Sequence, residues 1–299
     1  MPTKDATVIA TYSRRMRVRF ADGEEADARI KGKKLKPVCG DIVAVEPIDG
    51  EADWLITSIR DRSNELNRPN LRGKVETLAA NLDLVLVVAA AAPKADWFIV
   101  DRYLCAAENM RADAAVIYNK TDLDKTEEAN TNLETYRKLG YPGIACSAEK
   151  DSNLDPLAEL LTDSTAIIVG QSGVGKSSLI NRLSAESAQK TATISDKTGE
   201  GRHTTVNSAM ISLPHGGVVI DSPGVRDYAP ALQTPDQAII GFREVHQFGE
   251  NCRFANCKHL REPNCAVKQA VEDGEMNERR YESYRRTLAL TERINRDRY

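Results

Sequence analysis

Along residues 6–60, apolar and polar positions alternate in short runs with almost no helical period. In Arg15-Met16-Arg17-Val18-Arg19-Phe20 the alternation is complete, so Met16, Val18 and Phe20 face a core while Arg15, Arg17 and Arg19 line the opposite face. Asp22-Gly23 is a hairpin signal, Gly40-Asp41 precedes the strand Ile42-Val43-Ala44-Val45, and Asp49-Gly50 turns into a last strand around Trp54 to Ile59. About five short strands in such a span predict a small barrel of the OB type. Residues 61–75 are polar, carry Pro69 and suit a linker.

The pattern then changes to strands alternating with helices. Leu82 to Ala90 is a near-continuous apolar run, the signature of a parallel strand covered on both faces. Residues 96–110 read as a helix, Ala114 to Tyr118 as a strand, 126–139 as a helix, and Ile144-Ala145 as a short strand. Ala166 to Val169 and Val218 to Ile220 are further buried strands. Residues 228–299 lose the strand signal and hold helical segments at 236–247, 266–273 and 277–295. The predicted organisation is multidomain α/β: an N-terminal OB-fold β-barrel over 1–66, an α/β domain over 67–227 and a C-terminal helical domain over 228–299.

Composition narrows this picture only slightly. Charged residues at 28% and apolar ones at 41% are those of a globular chain, and no run reaches membrane-span length. The N-terminus lacks a basic-then-apolar leader pattern, so a cytoplasmic protein is expected. A net charge of −3 leaves any nucleic-acid contact to local patches. The alternating arginine face and the lysines Lys31, Lys33, Lys34 and Lys36 are such patches, although a solvated sheet face would look the same.

The sharpest chemical signal is Gly170-Gln171-Ser172-Gly173-Val174-Gly175-Lys176-Ser177-Ser178, between an apolar strand and a helical pattern with Leu179, Ile180 and Leu183. This is a G-x-x-x-x-G-K-[ST] phosphate loop in its strand–loop–helix setting. Glycines let consecutive N–H groups point at phosphate oxygens, and the helix N-terminus adds partial positive charge. Lys176 reaches the β- and γ-phosphates and the Ser177 hydroxyl ligates Mg²⁺, so the chain binds a nucleoside triphosphate.

Asn119-Lys120-Thr121-Asp122, at a predicted strand end, looks like the guanine-specificity element of GTPases. The carboxylate of Asp122 accepts from both the ring N–H and the exocyclic amine of guanine, a pair of donors that adenine lacks. Asn119 reaches the other base edge and the Lys120 stem packs on the ring. Ser147-Ala148 resembles the element whose backbone N–H meets the guanine carbonyl. Asp221-Ser222-Pro223-Gly224 resembles the γ-phosphate element, with Asp221 in the Mg²⁺ shell and the Gly224 amide on the terminal phosphate.

The order of these elements is informative. Asn119 and Ser147 precede Gly170, and Asp221 comes last, so the pattern looks like a circularly permuted P-loop GTPase. The second switch, after Asp221, leads straight into the C-terminal region and could reposition it when the γ-phosphate is lost. Position 225 is Val, where Ras-like enzymes place a water-orienting Gln. His203, in Gly201-Arg202-His203-Thr204-Thr205, is the candidate to orient the water, and a surface-loop histidine is the bland alternative. Thr205, with Thr204 as the alternative, is the natural first-switch Mg²⁺ ligand.

Cys252, Cys257, His259 and Cys265 offer four soft ligands at short spacing, enough for a closed Cys₃His structural zinc site. Cys39, Cys105 and Cys146 stand alone, which fits a reducing compartment and not a disulfide framework. The last stretch carries Arg279, Arg280, Arg285, Arg286, Arg293, Arg296 and Arg298 against Glu278, Glu282, Glu292 and Asp297. That basic excess suits either rRNA phosphate or a solvated helix face.

Taken together, these motifs are very similar to the RsgA (YjeQ) family of ribosome small subunit-dependent GTPases, and the likeness covers nearly the whole chain. Its sharpest parts are the phosphate loop, Gly-x-His203-Thr-Thr, Asp221-Ser-Pro-Gly-Val-Arg226 and the Cys252-to-Cys265 cluster. The resemblance implies a cytoplasmic assembly factor that binds the small ribosomal subunit and its rRNA, hydrolyses GTP to GDP faster when bound there, and meets other late assembly factors. It implies barrel and zinc domain as the rRNA-contacting parts, His203 as a proposed catalytic residue, and Zn²⁺ and Mg²⁺ as cofactors. No membrane partner and a monomer are expected. Two rival readings are an RNA-binding module using GTP as a structural ligand, kept open by Val225, and a metabolic NTPase or kinase, for which no acceptor constellation is found.

Overall fold

The computed structural model describes residues 3–12, 15–69, 74–123, 127–184, 208–214, 216–221 and 230–296. The N-terminal alternation closes into a barrel. Strands β1 (Lys4–Thr11), β2 (Met16–Phe20), β3 (Glu25–Ile30), β4 (Ile42–Pro47) and β5 (Trp54–Ile59) pair in the order β1-β2-β3-β5-β4, and β4 returns to β1. Val8, Val18, Ala28, Val43, Val45 and Ile56 are fully buried inside it. Phe20 and Trp54, ring centroids 4.9 Å apart, pack against this interior cluster.

The described residues of the expected linker, 61–69 and 74–75, do not behave as one. They supply β6 (Glu65–Pro69), which pairs antiparallel with β7 (Val75–Ala80) in a separate two-stranded sheet. Pro69 sits at the end of its strand, where a missing N–H disrupts no ladder interior.

The α/β sheet runs β10-β9-β8-β11-β13-β12: β8 (Leu84–Ala90), β9 (Asp113–Asn119), β10 (Gly143–Ala145), β11 (Thr165–Gly170), β12 (Ser208–Ser212) and β13 (Val218–Asp221). All neighbours are parallel except β12, which is antiparallel to β13. Every residue of β8 is buried, as a doubly covered parallel strand requires. Helices α1 (Trp97–Met110) and α2 (Glu127–Lys138) pack on one face. Helix α3 (Asp155–Leu161) and the helix that starts at 176, described to 184 and labelled α4, pack on the other through Leu157, Leu161, Leu179 and Ile180.

The C-terminal region holds α5 (Pro235–Ile240), α6 (Arg243–Gly249), α7 (Ala266–Glu272) and α8 (Glu278–Arg296). The expected helix over 236–247 is two helices, broken at Gly241 where the chain presses against the Cys105 side chain of α1. The core of this region, with Phe242, Val245, Val267 and Tyr284, therefore includes Cys105 from the α/β layer. Among the described residues no helix is long and apolar enough to cross a membrane.

Candidate functional site

The motif-bearing strand ends β8, β9, β10, β11 and β13 open on one edge of the parallel sheet, where such sheets bind ligands. The phosphate loop leaves β11 at Gly170 and enters α4 at Lys176. Two glycines are sterically required. A Cβ on Gly170 (φ 135°) would overlap the Val88 carbonyl oxygen, and one on Gly175 (φ 93°) would overlap the Asn119 amide nitrogen. The Lys176 ammonium donates to the carbonyl oxygens of Gly170 at 2.9 Å and Gln171 at 2.8 Å, so the lysine curls over the loop it must serve. Val174 is buried beneath, while Ser172, Gly173, Ser177 and Ser178 are exposed.

Asn119 ties three distant segments together. It is 1% exposed, its amide nitrogen donates to the Val174 carbonyl at 2.9 Å, and its carbonyl oxygen accepts from the Ala148 N–H at 3.1 Å. Lys120 (φ 62°) extends its ammonium to the carbonyl oxygens of Gly173 (2.7 Å) and Ala92 (2.6 Å). The Ser147 hydroxyl donates to Asp122 and accepts from the Lys150 N–H at 3.2 Å. Arg182 of α4 donates to the Ala148 carbonyl at 2.9 Å. The permuted order is thus undone in space: the phosphate loop, the Asn119–Asp122 element and the Ser147–Ala148 element form one hydrogen-bonded unit. Nothing in the expected set from Asn119 to Ser178 lies apart from it.

Asp221 ends β13, in register with Ile168 of β11 and opposite Ala209 of β12, beside the root of the phosphate loop. His203, Thr204, Thr205, Gly224 and Val225 lie outside the described residues.

Between α6 and α7, Cys252, Cys257, His259 and Cys265 bring their ligand atoms within 4.8 Å of one another. The Cys252 and Cys265 sulfurs are each 3.4 Å from His259 Nδ1 and 3.9 Å apart. Tetrahedral zinc with Zn–S near 2.3 Å and Zn–N near 2.0 Å needs S···S of about 3.8 Å and S···N of about 3.5 Å. The donor set therefore fits a zinc ion. Burial pushes the Cys257 thiol up to about 12 and lowers His259, so without a cation the cluster favours neutral groups. The turn is shaped from outside. Glu262 accepts from the N–H groups of Lys258, Leu260 and Arg261, which outweigh its partial burial and hold its carboxyl at about 2. Tyr281 and Tyr284 of α8 donate to the carbonyls of His259 (2.6 Å) and Lys258 (2.8 Å). Replacing Cys257 with Ser is expected to release zinc and lower the melting temperature of the C-terminal region. Metal analysis with a thermal melt checks it, and retained metal with an unchanged melt would count against the site.

A buried charge cluster escaped the sequence reading. Asp101 of α1 and Arg280 of α8 are both 0% exposed. Arg280 donates to Asp101 at 2.7 Å and twice to Glu244 of α6, at 2.6 and 2.9 Å. Arg279 reaches Asp101 at 2.6 Å, and the hydroxyls of Tyr136 and Ser283 also donate to it. Burial alone would raise the Asp101 carboxyl; Arg280 and Arg279 reverse this and hold it below the ordinary carboxylate value.

The arginine face of the barrel is present but neutralised. Arg17 and Arg19 lie opposite Asp27 and Glu25 on β3 and pair with them at 3.1 and 2.9 Å, and Arg15 approaches Asp53 at 3.8 Å. Such exposed pairs contribute little stability, about 0–1 kcal/mol each, but they cancel the face's charge.

Comparisons with known proteins agree with this geometry. The RsgA GTPase family model matches residues 59–230. A small ribosomal subunit biogenesis GTPase RsgA from Actinobacillus succinogenes is 37% identical over 294 residues, covering 96% of this chain and 84% of that protein. The RsgA of Saccharophagus degradans is 34% identical, covering 96% and 87%. Among solved structures, YjeQ from Thermotoga maritima superposes with a TM-score of 0.74 at 28% identity, covering 97% of this chain and 99% of that one. YloQ, described as a circularly permuted GTPase, does so at 0.72 and 25%, covering 97% and 96%. With the permuted guanine and phosphate elements assembled on one sheet edge, and these relatives spanning almost its full length, the chain belongs to the RsgA GTPase family.

Proposed function

We propose that this chain hydrolyses GTP as a switch in maturation of the small ribosomal subunit, and that the subunit accelerates the hydrolysis. The observation that carries the reading is Asn119, whose side chain holds the phosphate loop at the Val174 carbonyl and the Ser147–Ala148 element at the Ala148 N–H at once. Base and phosphates are thereby recognised by a single rigid unit. The relatives named for small-subunit biogenesis support the partner.

In this reading Asp122 accepts from two guanine donors, and Lys120, Ser147 and Ala148 complete the base site. The N–H groups from Gly170 to Ser178 and the Lys176 ammonium hold the phosphates. Ser177, Asp221 and Thr205, with Thr204 as the alternative, offer hard oxygen ligands to Mg²⁺, which when bound offsets charge on the β,γ-oxygens. Water attacks the γ-phosphorus, the bond to the β,γ-bridging oxygen breaks, and the charge developing there is met by Lys176 and the loop amides. Gly224 senses the terminal phosphate and His203 orients the water, a task Val225 cannot perform. Replacing His203 with Ala is expected to lower subunit-stimulated GTP turnover by about 10² or more while leaving GTP affinity in place. Single-turnover hydrolysis with purified small subunits checks it; unchanged turnover removes His203 from the mechanism.

The expected boundary at 66 falls inside β6, so the labour divides among a barrel that ends with β5, a permuted G domain that takes in the β6–β7 hairpin and runs to 227, and a zinc-binding helical domain (228–299). With Arg15, Arg17 and Arg19 paired internally, rRNA phosphate contact falls on the exposed lysines Lys31, Lys33, Lys34 and Lys36. A cytoplasmic location, a monomeric state and contact with other late assembly factors complete the proposal.

A further inference from the structure

The barrel and the G domain are not merely adjacent; they share a sheet. Strand β1 closes the barrel with its first half, where Lys4 to Thr7 pair with β4. A register shift between Val8 and Ala10 then bends it outward, and Ala10 and Thr11 pair with Ala209 and Ser208 of β12. Ala209 is at the same time opposite Asp221 on β13. One residue of β12 thus stands between the candidate Mg²⁺ ligand and the barrel, two strand spacings or about 10 Å in all. Strand β12 also begins three residues after Thr205 in the chain. Beyond the ladder, Arg19 of β2 donates to the Ser212 hydroxyl at 3.3 Å.

The barrel has a second attachment of a different kind. Arg62 pairs with buried Asp41, the Ala80 N–H donates to the Cys39 carbonyl at 3.1 Å, and Asn81 donates to the Gly40 carbonyl at 2.8 Å. These contacts fasten it to the β6–β7 hairpin, whose Leu66 lies in the same core as α1. A body held at one point on a fixed frame and at another on a strand flanked by both switches has a pivot and a handle.

The C-terminal region is fastened elsewhere. Asp101, Arg279, Arg280 and Glu244 join it to α1, and Arg243 pairs with Glu108 at 2.7 Å while stacking over Tyr141. Helix α1 in turn is tied to the phosphate loop, where the Asp96 N–H donates to the Gln171 side chain at 3.0 Å. Apart from Lys176, the phosphate loop cradles phosphates that GDP and GTP have in common, whereas switch segments of GTPases are ordered by the γ-phosphate and its Mg²⁺.

We propose that the nucleotide state is transmitted through strand β12 into strand β1, so that the N-terminal barrel, and not the C-terminal zinc region, is the body that moves relative to the G domain. The covalent path from Asp221 into the C-terminal region transmits little, because the far end of that path is clamped to α1. This inference rests on the GTP reading above, and the test separates the two. Hydrogen–deuterium exchange is measured on the unmodified full chain without nucleotide, with GDP, and with a non-hydrolysable GTP analogue. Both nucleotides are expected to protect residues 170–178. Between the two nucleotide states, amides of 8–11 and 208–212 are expected to differ roughly threefold or more in exchange rate, while 99–107 and 283–291 stay equal. Protection at 170–178 with no difference at 8–11, or with a difference at 283–291 instead, overturns the proposal and leaves the GTP reading standing. No protection at 170–178 with either nucleotide overturns both.

Discussion

Replacing Asp122 with Asn is expected to lower GTP affinity on the order of 10³-fold and to create affinity for xanthosine triphosphate. Guanine presents two donors, the ring N–H and the exocyclic amine, to the two carboxylate oxygens. An Asn amide offers one acceptor and one donor, so its NH₂ group meets the guanine amine donor to donor and leaves both unpaired in a closed site. Xanthine carries a carbonyl where guanine has the amine, which restores both hydrogen bonds. The Ser147 hydroxyl that donates to Asp122 can equally donate to the Asn carbonyl, so the loop geometry survives the change. Competition of labelled GDP by xanthosine and guanosine diphosphates reads the result. A variant that still prefers guanine would mean that Asp122 does not face the base.

The second large effect concerns stability. Asp101→Ala is expected to cost about 3–5 kcal/mol, because removing one partner of a buried charge cluster leaves Arg279 and part of Arg280 without a counter-charge. The pH dependence has a definite sign. The folded-state carboxyl is held below its ordinary value, so its stabilisation is fully present above the ordinary aspartate pKa of about 3.9 and is lost as pH falls beneath it. The stability gap between wild type and variant is therefore constant from about pH 5 to 8 and narrows below pH 4. Urea denaturation at several pH values measures both. A gap under 1 kcal/mol at pH 7 would show that Glu244 alone satisfies Arg280.

The parts of the fold that the sequence displays are those where chemistry demands a residue type at a fixed spacing. Gly170, Gly175 and Lys176 cannot be other residues if the backbone is to pass Val88 and Asn119 and still hold phosphate. The barrel is legible because its core comes from strict alternation, and Met16 and Val18 are buried as that pattern requires. The β6–β7 hairpin was hidden because β6 is polar and ends in a proline, and the two strands pair only with each other. The pairing of the arginine face was within reach: a turn at Asp22-Gly23 puts Asp27 across from Arg17 and Glu25 across from Arg19. Asp101 is different in kind. Its partners Arg279 and Arg280 are 178 and 179 positions away, and only the fold brings them together. The local signal was an Asp four residues after Trp97 and three before Leu104, on the otherwise apolar buried stripe of its helix, where a charge requires a partner.

The buried cluster also revises how the domains communicate. Chain order alone places the C-terminal region directly behind the second switch, which makes it the obvious moving part. Packing places the clamp on α1 and α2, over the β8–β9 side of the sheet, and leaves the switch-flanking edge at β12 joined to the barrel. Sequence adjacency and mechanical adjacency differ here, and a circular permutation makes such divergence natural.

The proposed control of GTP hydrolysis by the small ribosomal subunit is open to direct measurement. Its most direct test is phosphate release from GTP by the purified chain, with and without purified small subunits, alongside ATP under the same conditions. A slow basal rate, strong stimulation by subunits and no turnover of ATP are expected. A GTP rate indifferent to the subunits, or equal turnover of ATP, would contradict the proposal.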